Sequence, residues 1–309
     1  MTWNTLPGSV SGLGESPFWH PHEQMLYWVD IPGMKILRSN VFMGTVDVWA
    51  MDQEPGCMAP AASGGLVIAL RDGIYRARQW GGALERIERA THDTATTRFN
   101  DGKCDALGRL WAGTMYEPRT QYLAELLCLD RRPGQPPGYS SKVDKGTIAN
   151  GLAFSPDNKT LYWANTVDHV VWAWDFDLAT AAISRRRVFQ QFPPKPADFA
   201  FNADGSHALR YRGRPDGAAV DAAGNYWVAM FEGQRVCQFS AGGALLQEVP
   251  TPALCVTMPC FGGDDLQTLY ITTARHGRSD AELAAQPDAG CVFSMRVSTP
   301  GLPVNFYQD

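Results

Sequence analysis

Two carboxylates and two amides occupy matching positions along the sequence. Each lies ten or eleven residues before an equivalent leucine or tyrosine of a short strand-like segment, and the four are Glu15, Asn100, Asn150 and Asp216. No histidine or cysteine stands at a matching position, so the set offers only oxygen donors, which hard cations such as calcium, magnesium and manganese prefer. The pattern predicts a site for one divalent metal ion, with zinc and ferrous iron as the alternatives.

Each of these residues lies in a compact motif with small neighbours. The motifs are GESP (14–17), FNDG (99–102), ANGL (149–152) and PDGA (215–218). Asn-Gly and Asp-Gly dipeptides are strong turn formers, so any one motif is compatible with an ordinary turn. Four such motifs at one level of a repeated unit favour a functional site instead. The two remaining equivalent segments, GCMAP (56–60) and MPCFGG (258–263), carry apolar or sulfur-containing residues.

The strand-like segments recur six times along the chain. Each has a turn with Asp, Gly, Asn or Ser followed by a short aromatic and β-branched strand, at 22–31, 62–73, 105–115, 155–166, 221–231 and 264–274. Successive copies are 40 to 65 residues apart, which suits a four-stranded propeller blade. Strand patterns at 170–177 and 235–240 fill the intervals. Asp221 belongs to the repeated turn and not to the polar set.

The scarcity of helical patterns narrows the choice of fold. The best helical stretch is 279–286, and it is short. A TIM barrel or a doubly wound sheet needs helices of about 10–15 residues between its strands. A β-sandwich could supply as many strands, but the regular period favours radial repetition. We therefore predict an all-β fold, a six-bladed β-propeller with a central metal site, formed by residues 1–309 as a single domain.

Composition narrows the function classes. The 27 basic and 32 acidic residues give a net charge of −5, and no cluster of Lys or Arg offers a field for nucleic acid. No uncharged apolar run reaches the roughly 18 residues of a membrane span, and the first residues lack a signal-peptide pattern. The seven cysteines form no CxxC pair, which indicates buried thiols. These features predict a soluble, cytoplasmic protein with no nucleic acid, membrane or obligatory protein partner.

Five long motifs cover most of the chain: LGESPFWHPHEQMLYWVDI (13–31), RFNDGKCDALGRLWAGTM (98–115), IANGLAFSPDNKTLYWANT (148–166), PDGAAVDAAGNYWVAMFEG (215–233) and MPCFGGDDLQTLYITTAR (258–275). Together they resemble the senescence-marker-protein/gluconolactonase family, also called the regucalcin family, and within it bacterial xylono- and gluconolactonases. The resemblance implies that Glu15, Asn150 and Asp216 bind the metal ion, with Asp216 also acting as general base. It further implies that Arg98 and Asn100 bind substrate, and it makes Glu117 a candidate for a third substrate contact.

Hydrolysis of a sugar lactone is the activity that this resemblance implies. Opening the cyclic ester requires a polarised carbonyl and an activated water, and a divalent ion can support both. Either Asp216 or a metal-bound hydroxide then activates the water. The expected substrate is an aldonolactone such as gluconolactone or xylonolactone. The alternatives are an aryl-ester or organophosphate hydrolase on the same metal site, and a non-catalytic calcium-binding propeller.

Residues 193–214 form an unusually long interval before Asp216. The segment starts Pro-rich and ends with Arg210, Arg212 and Arg214. Long connections in compact domains are commonly lids or disordered segments, so a passive surface loop, or an ordinary strand over 210–212, is compatible with the pattern. The sharper hypothesis is a cap over the metal whose arginines and Tyr211 contact substrate hydroxyls or a carboxylate. Such a cap would favour lactones with an extra negative charge, such as aldarolactones.

Overall fold

Each copy of the repeated turn and strand forms the second strand of a four-stranded antiparallel sheet. The computed structural model describes residues 2–309, apart from the side chain of Asp144, and contains six such sheets. These second strands are buried almost throughout, as expected for strands packed between neighbouring sheets. The six innermost strands contact one another in a closed cycle around a central channel. The predicted all-β, six-bladed propeller is confirmed.

The strands of each blade follow chain order from the channel outwards, except in the last blade. The first five blades are β2 (Gly14–His20), β3 (Met25–Asp30), β4 (Lys35–Asn40) and β5 (Thr45–Ala50); β6 (Pro55–Pro60), β7 (Leu66–Leu70), β8 (Gly73–Ala77) and β9 (Leu84–Arg89); β10 (Thr97–Cys104), β11 (Leu110–Tyr116), β12 (Ala124–Asp130) and β13 (Gly138–Gly146); β14 (Ala149–Phe154), β15 (Thr160–Asn165), β16 (Val170–Asp177) and β17 (Ala182–Gln191); and β18 (Arg214–Val220), β19 (Tyr226–Phe231), β20 (Arg235–Phe239) and β21 (Leu245–Pro250). The sixth blade consists of β22 (Val256–Gly262), β23 (Thr268–Thr273), β24 (Phe293–Arg296) and, outermost, β1 (Asn4–Thr5).

Segments from both ends of the sequence complete the ring. β1 pairs with β24, so the outermost strand of the sixth blade precedes the first blade in the chain. Residues 297–309 cross the face of the ring that is formed by the turns between first and second strands. Main-chain hydrogen bonds hold them there, from Tyr307 to Pro60 and from Gln308 to Gly108. This tail covers one end of the channel and leaves the other end, where the inner strands begin, uncovered.

The hydrophobic core is divided among the interfaces between blades. Six clusters of buried apolar side chains each unite the facing sides of two adjacent blades. Four fully buried tryptophans pack between blades in these clusters: Trp28, Trp111, Trp163 and Trp227. Because each blade buries both of its faces against neighbours, the burial of apolar surface in one blade depends on the two beside it.

A β-bulge interrupts the inner strand of every blade near its beginning. The pairing with the second strand shifts after Glu15, Pro55, Phe99, Asn150, Pro215 and Val256. A bulge breaks the regular alternation of side chains, so it re-aims residues towards the channel. In the fourth blade the bulge requires glycine, because Gly151 has a φ of 60° and a Cβ there would lie 2.5 Å from the Tyr226 hydroxyl. The four polar residues of the spacing pattern all lie at such bulges.

In the part of the chain that the structure describes, helices are confined to two short segments. α1 spans His207–Arg210, and α2 spans Asp280–Ala285, in agreement with the helix predicted for 279–286. The Ser279 hydroxyl caps α2 by accepting a hydrogen bond from the Glu282 amide at 3.2 Å. Among residues 2–309, no helix is long and apolar enough to cross a membrane. All seven cysteines are buried and unpaired, as expected.

A buried aspartate organises the turn before the second strand in two blades. The Asp221 carboxylate accepts five hydrogen bonds, from the main-chain amides of Ala223 and Asn225 and the side chains of Asn225, Trp227 and Gln238. In the third blade, Asp105 accepts the Trp111 indole N–H in the same way, at 2.8 Å. The repeated turn motif thus fastens the tryptophan of the following strand.

We expect Asp221→Ala to lower stability without altering the channel. The substitution leaves the Trp227 indole N–H buried without its acceptor, so the free energy of unfolding should fall by about 2–4 kcal/mol. Asp157→Ala, in the exposed equivalent turn of the fourth blade, should change it by less than about 1 kcal/mol. Urea unfolding followed by tryptophan fluorescence measures both values. An Asp221 variant as stable as the wild type would contradict this role.

Candidate functional site

The four polar side chains of the spacing pattern converge in the channel. Glu15, Asn100, Asn150 and Asp216 begin the inner strands of the first, third, fourth and fifth blades, and each is 3 to 6% exposed. Asn100 contacts Asn150 directly. Glu15 and Asp216 lie close enough for the charge of Asp216 to affect the pKa of Glu15. The structure therefore brings the predicted residues together at the accessible end of the ring.

A directed chain of hydrogen bonds orients the two amides. Arg98 Nη1 donates to Asn100 Oδ1 at 2.7 Å, and Asn100 Nδ2 donates to Asn150 Oδ1 at 2.7 Å. Asn150 Nδ2 donates to Thr166 Oγ1 at 2.8 Å, and the Thr166 hydroxyl donates to the Pro215 carbonyl at 2.8 Å. The amide oxygen of Asn150 keeps a second lone pair for a ligand, because an amide carbonyl accepts two hydrogen bonds.

The two carboxylates of the set lie in surroundings that oppose their charge. Burial, with the nearby charges of Asp216 and Asp101, raises the pKa of Glu15 well above its ordinary value, and Arg98 acts in the opposite direction. Burial also raises the pKa of Asp216, against the influence of Arg214. Glu15 Oε2 is buried and has no hydrogen-bond partner among the described residues. A bound cation would offset the repulsion and give this oxygen a partner.

The donor set fits a hard divalent cation. Within the part of the chain that the structure describes, no three His, Cys, Asp or Glu side chains come together as a metal-binding cluster. The candidate ligands are therefore two carboxylates and one amide, those of Glu15, Asp216 and Asn150. A sparse set of oxygen donors leaves coordination positions open for water and substrate, as catalytic metal sites require. These three residues could hold the ion.

Arg98 and Glu117 belong to a charged network between the second and third blades. Arg71 pairs with Glu54 at 2.9 Å and with Glu117 at 3.1 Å, while Arg98 Nε lies 3.7 Å from Glu117. Both ion pairs of Glu117 are with arginines, so this carboxylate can orient Arg98. Within the described residues, Arg98 Nη2 has only the weakly accepting Met115 sulfur as a partner, at 3.2 Å, which leaves a donor available for a substrate oxygen.

Asp101 is a third channel carboxylate, which the spacing argument missed. Its Oδ2 accepts a hydrogen bond from the Leu152 amide at 2.8 Å and so fastens the bulge beside Asn150. Its Oδ1 is buried without a partner among the described residues, and burial raises the pKa of Asp101. The signal was present, since Asp101 follows Asn100 in FNDG. A regular strand would have pointed these neighbours to opposite faces, but the bulge after Phe99 removes that alternation.

Beyond this polar level the channel widens into a chamber of about 260 Å³. Its walls are mostly apolar, the tail residues Leu302 and Val304 lie along them, and none of the four polar residues lines it. Lys103 projects into the chamber and donates to the Ala218 carbonyl at 2.8 Å. Burial lowers the pKa of this lysine, and the charge of Asp101 acts in the opposite direction. This chamber therefore lies on the tail side of the four polar residues and is separate from the candidate site.

The long segment before Asp216 packs on the accessible face of the ring. Phe201 joins a small apolar cluster at the loops of the fifth and sixth blades, with Leu254, Cys255 and Ala274. Tyr211 is buried, and its hydroxyl lies 2.7 Å from His169 Nε2. Residues 210–212 belong to no strand, so their alternating pattern does not reflect one.

The three arginines of this segment lie in different surroundings. Arg210 pairs with Asp198 at 2.6 Å, and Arg212 pairs with Glu248, both on the exposed surface. Arg214 instead begins β18, where it is mostly buried and lies two residues before the channel carboxylate. Only Arg214 is therefore placed next to the candidate site.

Comparison with known proteins agrees with this architecture. Residues 13–275 match the family described as SMP-30/Gluconolactonase/LRE-like region. The chain is 40% identical over 293 residues to the 6-deoxy-6-sulfogluconolactonase of Pseudomonas putida, a match that covers 94% of this chain and 93% of the relative.

The matches to more distant relatives also cover nearly the whole chain. The regucalcin of Danio rerio is 32% identical, over 96% of this chain and 94% of the relative. The crystal structure of a regucalcin from Agrobacterium tumefaciens has the same fold, with a TM-score of 0.88 at 22% identity over 100% of this chain and 98% of that chain. With a family match over most of its length and relatives that it matches almost end to end, the chain belongs to the SMP-30/gluconolactonase/LRE-like family.

Proposed function

We propose that this lactone-hydrolysing enzyme opens an aldonolactone, such as gluconolactone or xylonolactone, with the help of one divalent metal ion. The observation that carries the proposal is the buried pair of like-charged carboxylates, Glu15 and Asp216, beside the oriented amide of Asn150. Such a set is costly without a cation. The name of the 6-deoxy-6-sulfogluconolactonase supports a sugar lactone as the class of substrate.

The reaction forms a bond from a water oxygen to the carbonyl carbon and breaks the bond from that carbon to the ring oxygen. The metal ion, when bound, polarises the carbonyl and lowers the pKa of water. Asp216 holds the attacking water and takes its proton, which then passes to the departing ring oxygen. Because Asp216 is only 6% exposed, little bulk water competes for this carboxylate.

The predicted substrate-binding residues divide into two roles. Arg98 keeps a donor for a sugar hydroxyl or the ring ester oxygen, since its Nη2 faces only a thioether. Asn100 already uses its oxygen for Arg98 and both N–H groups for Ala149 and Asn150, so it acts by orienting its neighbours. Glu117 acts through Arg98 in the same way.

One assay separates this function from the alternatives. A lactonase opens gluconolactone and stops when a chelator removes the metal ion. An aryl-ester or organophosphate hydrolase on the same site prefers phenyl acetate or paraoxon, and a calcium-binding propeller without catalysis opens none of them. The many hydrogen-bonding groups around Arg98 and Asn100 favour a polyhydroxylated substrate over an aryl group.

We expect Asp216→Asn to abolish lactone hydrolysis while leaving the fold intact. The amide cannot take the proton from water, and general-base catalysis contributes about 10²–10⁴-fold, so kcat should fall at least about 10²-fold. Acid release from gluconolactone, followed with a pH indicator, measures the rate. Asp221→Ala is the matched control, and its folded fraction should keep the wild-type kcat, because that carboxylate lies in a turn. Full activity of the Asp216 variant would overturn its role as base.

Glu15→Gln should weaken metal binding and yet stabilise the metal-free protein. The folded metal-free wild type must either hold a second buried charge or take up a proton, and both cost free energy. The chelator-treated variant should therefore unfold at a higher temperature than chelator-treated wild type at pH 7. Its affinity for the metal ion should fall about tenfold or more, because a ligand is lost from a sparse set.

Asn150→Ala is the control for this prediction. It should weaken metal binding to a similar extent without stabilising the metal-free protein, because no charge is removed and hydrogen bonds are lost. Thermal unfolding and calorimetric titration with calcium and with manganese measure both quantities. If Glu15→Gln and wild type gain equal stability from the ion, Glu15 is not a ligand.

A further inference from the structure

The accessible rim of the ring carries a surplus of positive charge. Lys195, Arg214 and Arg278 all contact the buried Glu232 carboxylate, at 2.8 Å for Lys195 and 2.9 Å for Arg278. Glu282, which pairs with Arg278 at 2.7 Å, is the other carboxylate of this cluster among the described residues. Three cations therefore share two carboxylates, on loops that surround the entrance to the channel.

Arg119 adds a fourth cation to this rim. It follows β11 on the same face of the ring, it adopts a left-handed φ of 59°, and its side chain is accessible to a ligand. None of the ion pairs of the described residues involves its guanidinium. The surrounding protein and the charge of Arg214 lower the pKa of Arg119, while the charges of Glu117 and Glu232 act in the opposite direction. Because Arg119 and Arg214 carry like charges, an anion bound between them would lower their mutual repulsion.

Arg214 has the position in the fifth blade that Arg98 has in the third. Each arginine lies two residues before the channel residue of its inner strand, at the same level of the ring. Two residues of a strand span about 6–7 Å, which is comparable with the length of a six-carbon lactone. A substrate whose carbonyl lies at Asp216 can therefore place its far end beside Arg214.

We propose that Arg119 and Arg214 form an anion-binding subsite for the end of the substrate farthest from the lactone carbonyl. The inference rests on the proposed lactonase function, and it narrows the substrate to a sugar lactone with a sulfonate, phosphate or carboxylate on its last carbon. Glu232 and the ring of Phe231, 4.8 Å from the Arg214 guanidinium, fix Arg214 before the substrate binds. Arg119 reaches the same anion from the third blade.

Arg119→Gln tests the subsite without touching the proposed base or metal ligands. Wild type and variant are compared on D-glucono-1,5-lactone and on 6-deoxy-6-sulfogluconolactone, which differ in charge at the last carbon. We expect kcat/KM for the sulfonated lactone to fall at least about tenfold and kcat/KM for the neutral lactone to change less than about twofold. Arg210→Gln, which removes an exposed arginine already paired with Asp198, should change neither. Equal effects of Arg119→Gln on both lactones, or none on either, would overturn the subsite.

A binding experiment keeps this test separate from the proposed function. Calorimetry on the metal-loaded protein compares the ring-opened acids 6-deoxy-6-sulfogluconate and gluconate. The subsite requires wild type to bind the sulfonated acid more tightly and Arg119→Gln to lose that preference. If wild type opens neither lactone, the hydrolase function fails while this binding result still decides the subsite. Equal binding of the two acids by wild type would reject the subsite even if both lactones are hydrolysed.

Discussion

The concentration of negative charge inside the channel is the constraint from which the rest of the site follows. Glu15, Asp101 and Asp216 share one region from which most water is excluded, and burial raises the pKa of each. An apolar ring can hold such groups only if amides or cations offset their charge. The bulges provide amides, and Arg98 and Lys103 provide cations on the two sides of the carboxylates. The negative potential that remains would be offset by a divalent ion, as the proposed function requires.

The four polar channel residues could be predicted because each lies at a similar distance along the sequence from the repeated strand of its blade. The spacing does not predict the bulges, so it does not predict that Asp101, beside Asn100 in the same motif, is also a channel residue. The orientation of the Asn100 and Asn150 side-chain amides could not be predicted either. It depends on a hydrogen-bond chain between Arg98, Asn150 and Thr166, which lie far apart in the sequence and meet only when the third and fourth blades are assembled.

The ion-pair partners of the charged rim residues could not be predicted from the sequence. Arg210, Arg212 and Arg214 are equivalent in the sequence pattern, yet two pair on the outer surface and one turns towards the channel. Their partners come from other loops and other blades, and no periodicity specifies such a pairing. Glu117 is similar, because its partner Arg71 lies in the preceding blade. The resemblance and the spacing both lead to the channel positions, whereas neither specifies the ion pairs of the rim.

The pairing of β1 with β24 also sets the order in which the molecule is completed during synthesis. Asn4 leaves the ribosome long before its partner Ser294, and at about 5–20 residues per second the delay is on the order of tens of seconds. Until then the sixth blade lacks its outer strand, and the first blade has an uncovered apolar face. The nascent chain is therefore an incomplete ring that exposes a strand edge at one end and an apolar face at the other. Until the ring closes, this exposed apolar surface and the unpaired strand edges make the chain prone to aggregation.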